Sequence, residues 1–139
     1  MTTIFEVYGA KELMRDIREA GDIPADVLAE MVERQAKPIE EALVYNAGTM
    51  LVGPYFEGDV AASVKAAKAR VSKSGATVKI EFKGTAHGNR LGEIAFINEY
   101  GKKSQPGRPF ISKSIKDGDE AGAEAAKTVL DAYLAFKNL

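Results

Sequence analysis

Along this chain the spacing of apolar residues changes from the three-and-four step of a helix to the alternation of a strand and back again, and that switch restricts the fold class more than any other feature. Val27, Leu28, Met31 and Val32 fall on one face of a helical stretch, which Ile39, Leu43, Ala47 and Met50 continue. Pro38 lies between the two halves and predicts a kink or a break, because its ring clashes with the preceding turn and it has no N–H to donate. Thr77, Val78, Ile80 and Phe82 then alternate with Lys79 and Glu81, as in a strand with one buried face. From Pro109 the helical step returns, through Phe110, Ile111 and Ile115 and on to Ala125, Val129, Ala132, Tyr133 and Phe136. The pattern predicts an α+β fold: a small antiparallel β-sheet packed against a bent N-terminal helix and a long C-terminal helix.

The remaining segments are assigned by local signals. Ile4 to Tyr8 is β-prone and ends at Gly9, Lys11 to Ala20 reads as a helix, and Asp22 is placed to cap the next helix with Pro24 in its first turn. Asp59 to about Val71 reads as a helix, supported by Val60, Ser63, Val64, Ala67 and the alanines around them. Ser72 to Ala76 is then a turn and Thr85 to Arg90 a polar loop. Leu91 to Tyr100, with Ile94, Phe96 and Ile97, reads as a second strand that pairs antiparallel with 77–82 as a β-hairpin, with Phe82 and Phe96 in the core. Gly101 to Arg108 is an exposed loop, and Gly118 and Gly122 weaken the middle of the last helix.

The length of 139 residues suits a single domain, residues 1–139, that can bury a core without staples. There is no cysteine, which removes thiolate metal sites, thiol nucleophiles and disulfides, and suits a reducing compartment. MTTIFEVYGAKEL has no basic region followed by an apolar one, so no signal peptide is expected. The longest uncharged run, Ala42 to Phe56, is too short for a membrane span and is interrupted by Gly48, Gly53 and Pro54.

Net charge is −1, but its distribution is uneven. Residues 1–64 carry 5 Lys/Arg against 12 Asp/Glu, residues 65–116 carry 12 against 3, and residues 117–139 carry 2 against 5. Acidic and basic blocks on different faces would favour head-to-tail contact between copies, whereas blocks that interleave in space would merely solvate the surface.

No catalytic constellation emerges. The single histidine, His87, has no second histidine or cysteine with which to form a metal site, and no partner that would orient it as a general base. Glu40 with Glu41, and Asp119 with Glu120, are sequence neighbours that diverge on a helix. Phosphate-binding glycine loops and the G-x-S-x-G elbow are absent, so no enzyme activity, cofactor or metal is expected. Two rivals to an assembly role are a DNA-contacting protein that uses the basic 65–116 region, and a small ligand-binding module.

Glu93 to Phe110, EIAFINEYGKKSQPGRPF, resembles the signature of the tail-component family of tailed bacteriophages, which includes tail-completion and head–tail joining proteins. Its acidic-aromatic-glycine step reads here as Glu99, Tyr100 and Gly101, and its Arg-Pro-Phe helix start as Arg108, Pro109 and Phe110. A second, weaker match runs through Pro54, Gly58, Val60, Ser63 and Val64, departing at Phe56 and Glu57, where the family has Asp and Thr. The resemblance covers roughly residues 53–115. It implies a virion protein of the tail or neck, assembled in the host cytoplasm during infection, that forms a ring of identical subunits. A hexamer would match the tail tube. The implied partners are copies of itself and the head–tail connector and tail tube proteins, with DNA passing through the ring without sequence-specific binding. Glu99, Tyr100, Gly101, Lys102, Lys103, Arg108, Pro109 and Phe110 are then the candidate interface, and the loops at 83–90 and 101–108 are expected to order on assembly.

Overall fold

A computed structural model of the chain describes residues 3–8, 23–52, 58–72, 75–86 and 88–137. The expected helix from Lys11 to Ala20, the cap at Asp22, and His87 lie outside the described residues.

The sheet is built on β4 (Gly75–Phe82), whose alternation sends Ala76, Val78, Ile80 and Phe82 inward. On one side it pairs antiparallel with β1 (Thr3–Tyr8), with Val7 opposite Val78 and Phe5 opposite Ile80. On the other side lie β2 (Val64–Ala66) and β3 (Arg70–Ser72), both antiparallel to β4. Ala66 faces Ile80 and Arg70 faces Thr77, so three edge residues, 67–69, stand opposite only two, 78 and 79. β2 and β3 are therefore one edge strand interrupted by a one-residue bulge. At the bulge the Ala67 N–H still reaches the Lys79 carbonyl (2.9 Å), while the Ala69 N–H turns to the Glu33 carboxylate (3.0 Å).

This edge strand replaces most of the helix expected from Asp59 to Val71. Only α2 (Asp59–Ser63) is helical there, entered through Gly58 in the left-handed region at φ 82° and closed by the Ser63 hydroxyl donating to the Val60 carbonyl at 2.7 Å. Alanine, valine and lysine can serve either state. The unpaired edge of β4 decides between them, because burying Val64 opposite Phe82 satisfies both the backbone and the apolar face.

One long helix covers the inner face of the sheet, and a second packs along the first, reaching the sheet core only through Phe110 and Ile111 of its first turn. α1 (Ala25–Met50) runs without interruption through Pro38, so of the two outcomes that a proline permits the break is excluded. Pro24 is the residue before its first turn, not within it. The last helix, α4 (Phe110–Lys137), is also continuous, and its glycines bring it close to α1 instead of weakening it. A Cβ on Gly118 would lie 2.7 Å from the Ile39 Cα, and one on Gly122 would strike the Gln35 carbonyl. Without side chains at these two points the helix backbones approach closely.

The core of Val32, Leu43, Val78, Ile80, Phe82 and Phe110 lies between sheet and helices, with the Phe82 and Phe110 rings edge-on at 5.9 Å. Burying two such rings is worth several kcal/mol, and truncating either costs about 3–5 kcal/mol. A two-residue ribbon, β5 (Thr85–Ala86) with β6 (Asn89–Arg90), leads into α3 (Leu91–Tyr100).

α3 corrects the second strand expected over Leu91 to Tyr100, and no hairpin with 77–82 exists: β4 pairs with β1, β2 and β3. Its buried residues are Leu91, Gly92, Ala95, Asn98 and Glu99, a helical spacing. The β-prone Phe96 and Ile97 point outward, so Phe96, unlike Phe82, is not a core residue.

Candidate functional site

The residues of the tail-component resemblance meet where α3 ends, α4 begins and α1 finishes. Gly101 closes α3 by donating its N–H to the Ile97 carbonyl at 2.7 Å. Its φ of 81° with ψ of −179° belongs to a region that only glycine occupies at low cost. A Cβ there would also lie 2.6 Å from the Gly107 nitrogen, so the position requires glycine twice over.

The loop then folds back on the helix it leaves. Lys102 and Gln105 exchange backbone hydrogen bonds of 2.9 and 3.0 Å, and the Arg108 N–H donates to the Asn98 carbonyl at 2.5 Å. Asn98 turns its amide to the Ile94 carbonyl at 2.8 Å, within its own helix. A loop tied this way at both ends has its shape set by its own chain.

Two charged side chains complete helix ends that have no cap of their own. Pro109, which precedes α4, carries no side-chain oxygen, so the first N–H groups of that helix need an acceptor from elsewhere. Glu99, buried at 6% exposure, supplies it: Oε1 accepts from the N–H of Ile111 at 2.6 Å and of Ser112 at 3.4 Å, and Oε2 accepts from the Ser112 hydroxyl at 2.5 Å. The carboxylate also sits at the positive end of the helix dipole. At the opposite polarity, α1 has no basic residue in its last turn, and Arg108 donates from Nη1 to the carbonyls of Met50 (3.3 Å) and Val52 (3.0 Å).

The eight candidate interface residues thus divide. Glu99, Gly101, Arg108 and Phe110 build the junction from within, with Phe110 wholly buried. Tyr100, Lys102, Lys103 and Pro109 are exposed on its outside, Tyr100 at 70%. Beside Tyr100 stand Phe96, 57% exposed, and Ile97, 40% exposed, both expected from the sequence to lie in a strand. The Phe96 and Tyr100 rings, one helical turn apart, are in contact at 4.7 Å between centroids and tilted by 51° to each other. The outside of α3 is therefore an aromatic ridge flanked by Lys102 and Lys103.

A second polar junction holds α1 to α4. The Asn46 amide, buried at 2% exposure, donates to the Ser114 hydroxyl (2.9 Å) and to Asp117 (3.1 Å), and Ser114 donates to the Phe110 carbonyl at 2.6 Å. Asp117 also accepts from Lys113 at 2.7 Å, and the hydrogen bonds from Lys113 and then Asn46 hold its carboxyl below the usual carboxylate range. Among the described residues no group of three or more His, Asp or Glu side chains is placed to hold a metal ion, and no helix is long and apolar enough to cross a membrane.

No protein-family model, curated protein or solved structure matches the chain. The resemblance to the phage tail-component family stands on Glu99–Gly101, Arg108–Phe110 and the weaker upstream match alone.

Proposed function

We propose that the protein is a non-enzymatic structural component of a phage virion, acting in tail completion or head–tail joining at the neck as a ring of identical subunits. The observation that carries this reading is the aromatic ridge: Phe96, Ile97 and Tyr100 stand exposed beside Lys102 and Lys103 on a junction already fixed by Glu99, Gly101 and Arg108. Exposed aromatic rings on a rigid support are what protein interfaces use as anchors, because large contact area is gained with little loss of side-chain freedom. A closed ring needs two different patches on each subunit, and the unequal charge of the three sequence blocks supports a head-to-tail contact.

The test is assembly. Particles made without this polypeptide are expected to accumulate as separate heads and tails, and resupplying the F96S/Y100S variant should not join them. Normal tail attachment in its absence, or substrate turnover by the purified protein, would rule the proposal out.

A further inference from the structure

The chain from Val64 to Arg90, which forms the edge strand, β4 and the short ribbon, carries seven Lys/Arg and one Asp/Glu, Glu81. Lys65, Lys68 and Arg70 are exposed along the bulged edge strand, and Lys83 is exposed just beyond the end of β4. Lys65 and Arg70 pair with Glu81 and Thr77 on β4, a separation of about 13 Å along the strand, and Lys83 extends the row to about 20 Å. Two acids stand at the row, Glu81 at 3.8 Å from Lys83 and the Glu33 carboxylate of α1, which accepts from the Ala69 N–H at the bulge, against the four cations Lys65, Lys68, Arg70 and Lys83, so the row keeps a net positive charge. Between the cations the exposed residues are Ala66 and Ala67, which keep nothing bulky between the backbone and an approaching partner.

This strip differs in kind from the aromatic ridge. Among the described residues it contributes no exposed large apolar side chain, whereas protein interfaces concentrate aromatics and deplete lysine. Lysines and a bulge on an edge strand also discourage another strand from adding to it. A row of cations without aromatics suits phosphates, and the lack of rings to stack on bases favours a duplex over a single strand. We propose that this edge strand binds the backbone of duplex DNA, with Lys65, Lys68, Arg70 and Lys83 meeting phosphates without reading sequence.

The inference is independent of ring formation and is tested by titrating the full chain onto a fluorescent mixed-sequence duplex of about 20 base pairs between about 50 and 200 mM salt. Four phosphate contacts predict a slope of log affinity on log salt of about −3.6, and the K65Q/K68Q/R70Q variant should fall to a slope of about −0.9 with at least about tenfold weaker binding at low salt. A·T-rich and G·C-rich duplexes should bind alike. The inference fails if the native protein does not bind duplex at low salt, if the triple variant binds as well as native, or if a single strand of equal length binds more tightly. Normal rings without DNA binding would overturn this inference alone and leave the assembly reading standing. Loss of rings in the triple variant with DNA affinity unchanged would assign the strip to a neighbouring subunit and overturn it as well.

Discussion

The outer side of α3 and the β2–β3 edge strand are both exposed, yet they are built from opposite materials. α3 presents Phe96, Ile97 and Tyr100, and the edge strand presents Lys65, Lys68 and Arg70 with alanines between them. The first offers apolar area that gains by leaving water; the second offers charge that gains by displacing counterions. Exposure alone therefore does not define a functional surface. Under the two proposals, what is exposed selects the partner: another protein for the ridge, a polyanion for the strip.

The sharpest way to break this comparison is to remove the ridge. F96S/Y100S is expected to weaken self-association by about a thousandfold, at about 2 kcal/mol for each exposed anchor, measured by sedimentation across concentration. Its unfolding free energy should stay within about 0.5 kcal/mol of native, since neither ring is buried. The neighbouring residue should behave in the reverse way. E99A leaves the Ile111 N–H without its buried acceptor and should cost about 2 kcal/mol of stability in a denaturant titration, although Glu99 and Tyr100 are adjacent in sequence. A loss of stability from Y100S equal to that from E99A would merge the two roles and refute the division.

G122A tests how the frame beneath both surfaces is held. A methyl at that site meets the Gln35 carbonyl, so about 1–3 kcal/mol of destabilisation by overpacking is expected in the same titration. K65Q/K68Q/R70Q should leave stability unchanged and weaken self-association far less than F96S/Y100S does, which sharpens the contrast between strip and ridge.

The smallest effect concerns pH. Because Asp117 has its carboxyl held below the ordinary value of 3.8, its contribution to stability is complete above that pH and is lost as the pH falls through the lower, folded-state value. D117N should remove that part of the acid dependence, with stability followed by circular dichroism from neutral pH downward.

Much of the frame was legible in the sequence. β4 and the two long helices have apolar residues at one clear period, and each lies close to its expected bounds. The segments that misled have residues serving two periods. Val64 to Ser72 suits a helix by its alanines, and only the open edge of β4, supplied by other parts of the chain, makes it a strand. In α3 the signal was inverted: the β-prone Phe96 and Ile97 face outward, while the polar Asn98 and Glu99 are buried to build the junction. That inversion marks a place where residues serve something other than the core.

The caps could not be read either. Glu99 acts on a helix that begins eleven residues later, and Arg108 reaches carbonyls 56 and 58 residues earlier in the chain. Gly118 and Gly122 looked like weak points because a close helix contact leaves no mark in one helix alone. The motif was thus visible as a string, but its division into inner support and outer ridge required the fold.

Whether another chain covers the ridge of α3 is tested most directly by native mass as a function of concentration, for the wild-type chain and F96S/Y100S. The wild-type mass should rise in whole multiples of one subunit toward a ring while the variant stays at a single chain. A wild-type protein that remains a single chain at every concentration, or a variant that assembles as readily as wild type, would contradict it.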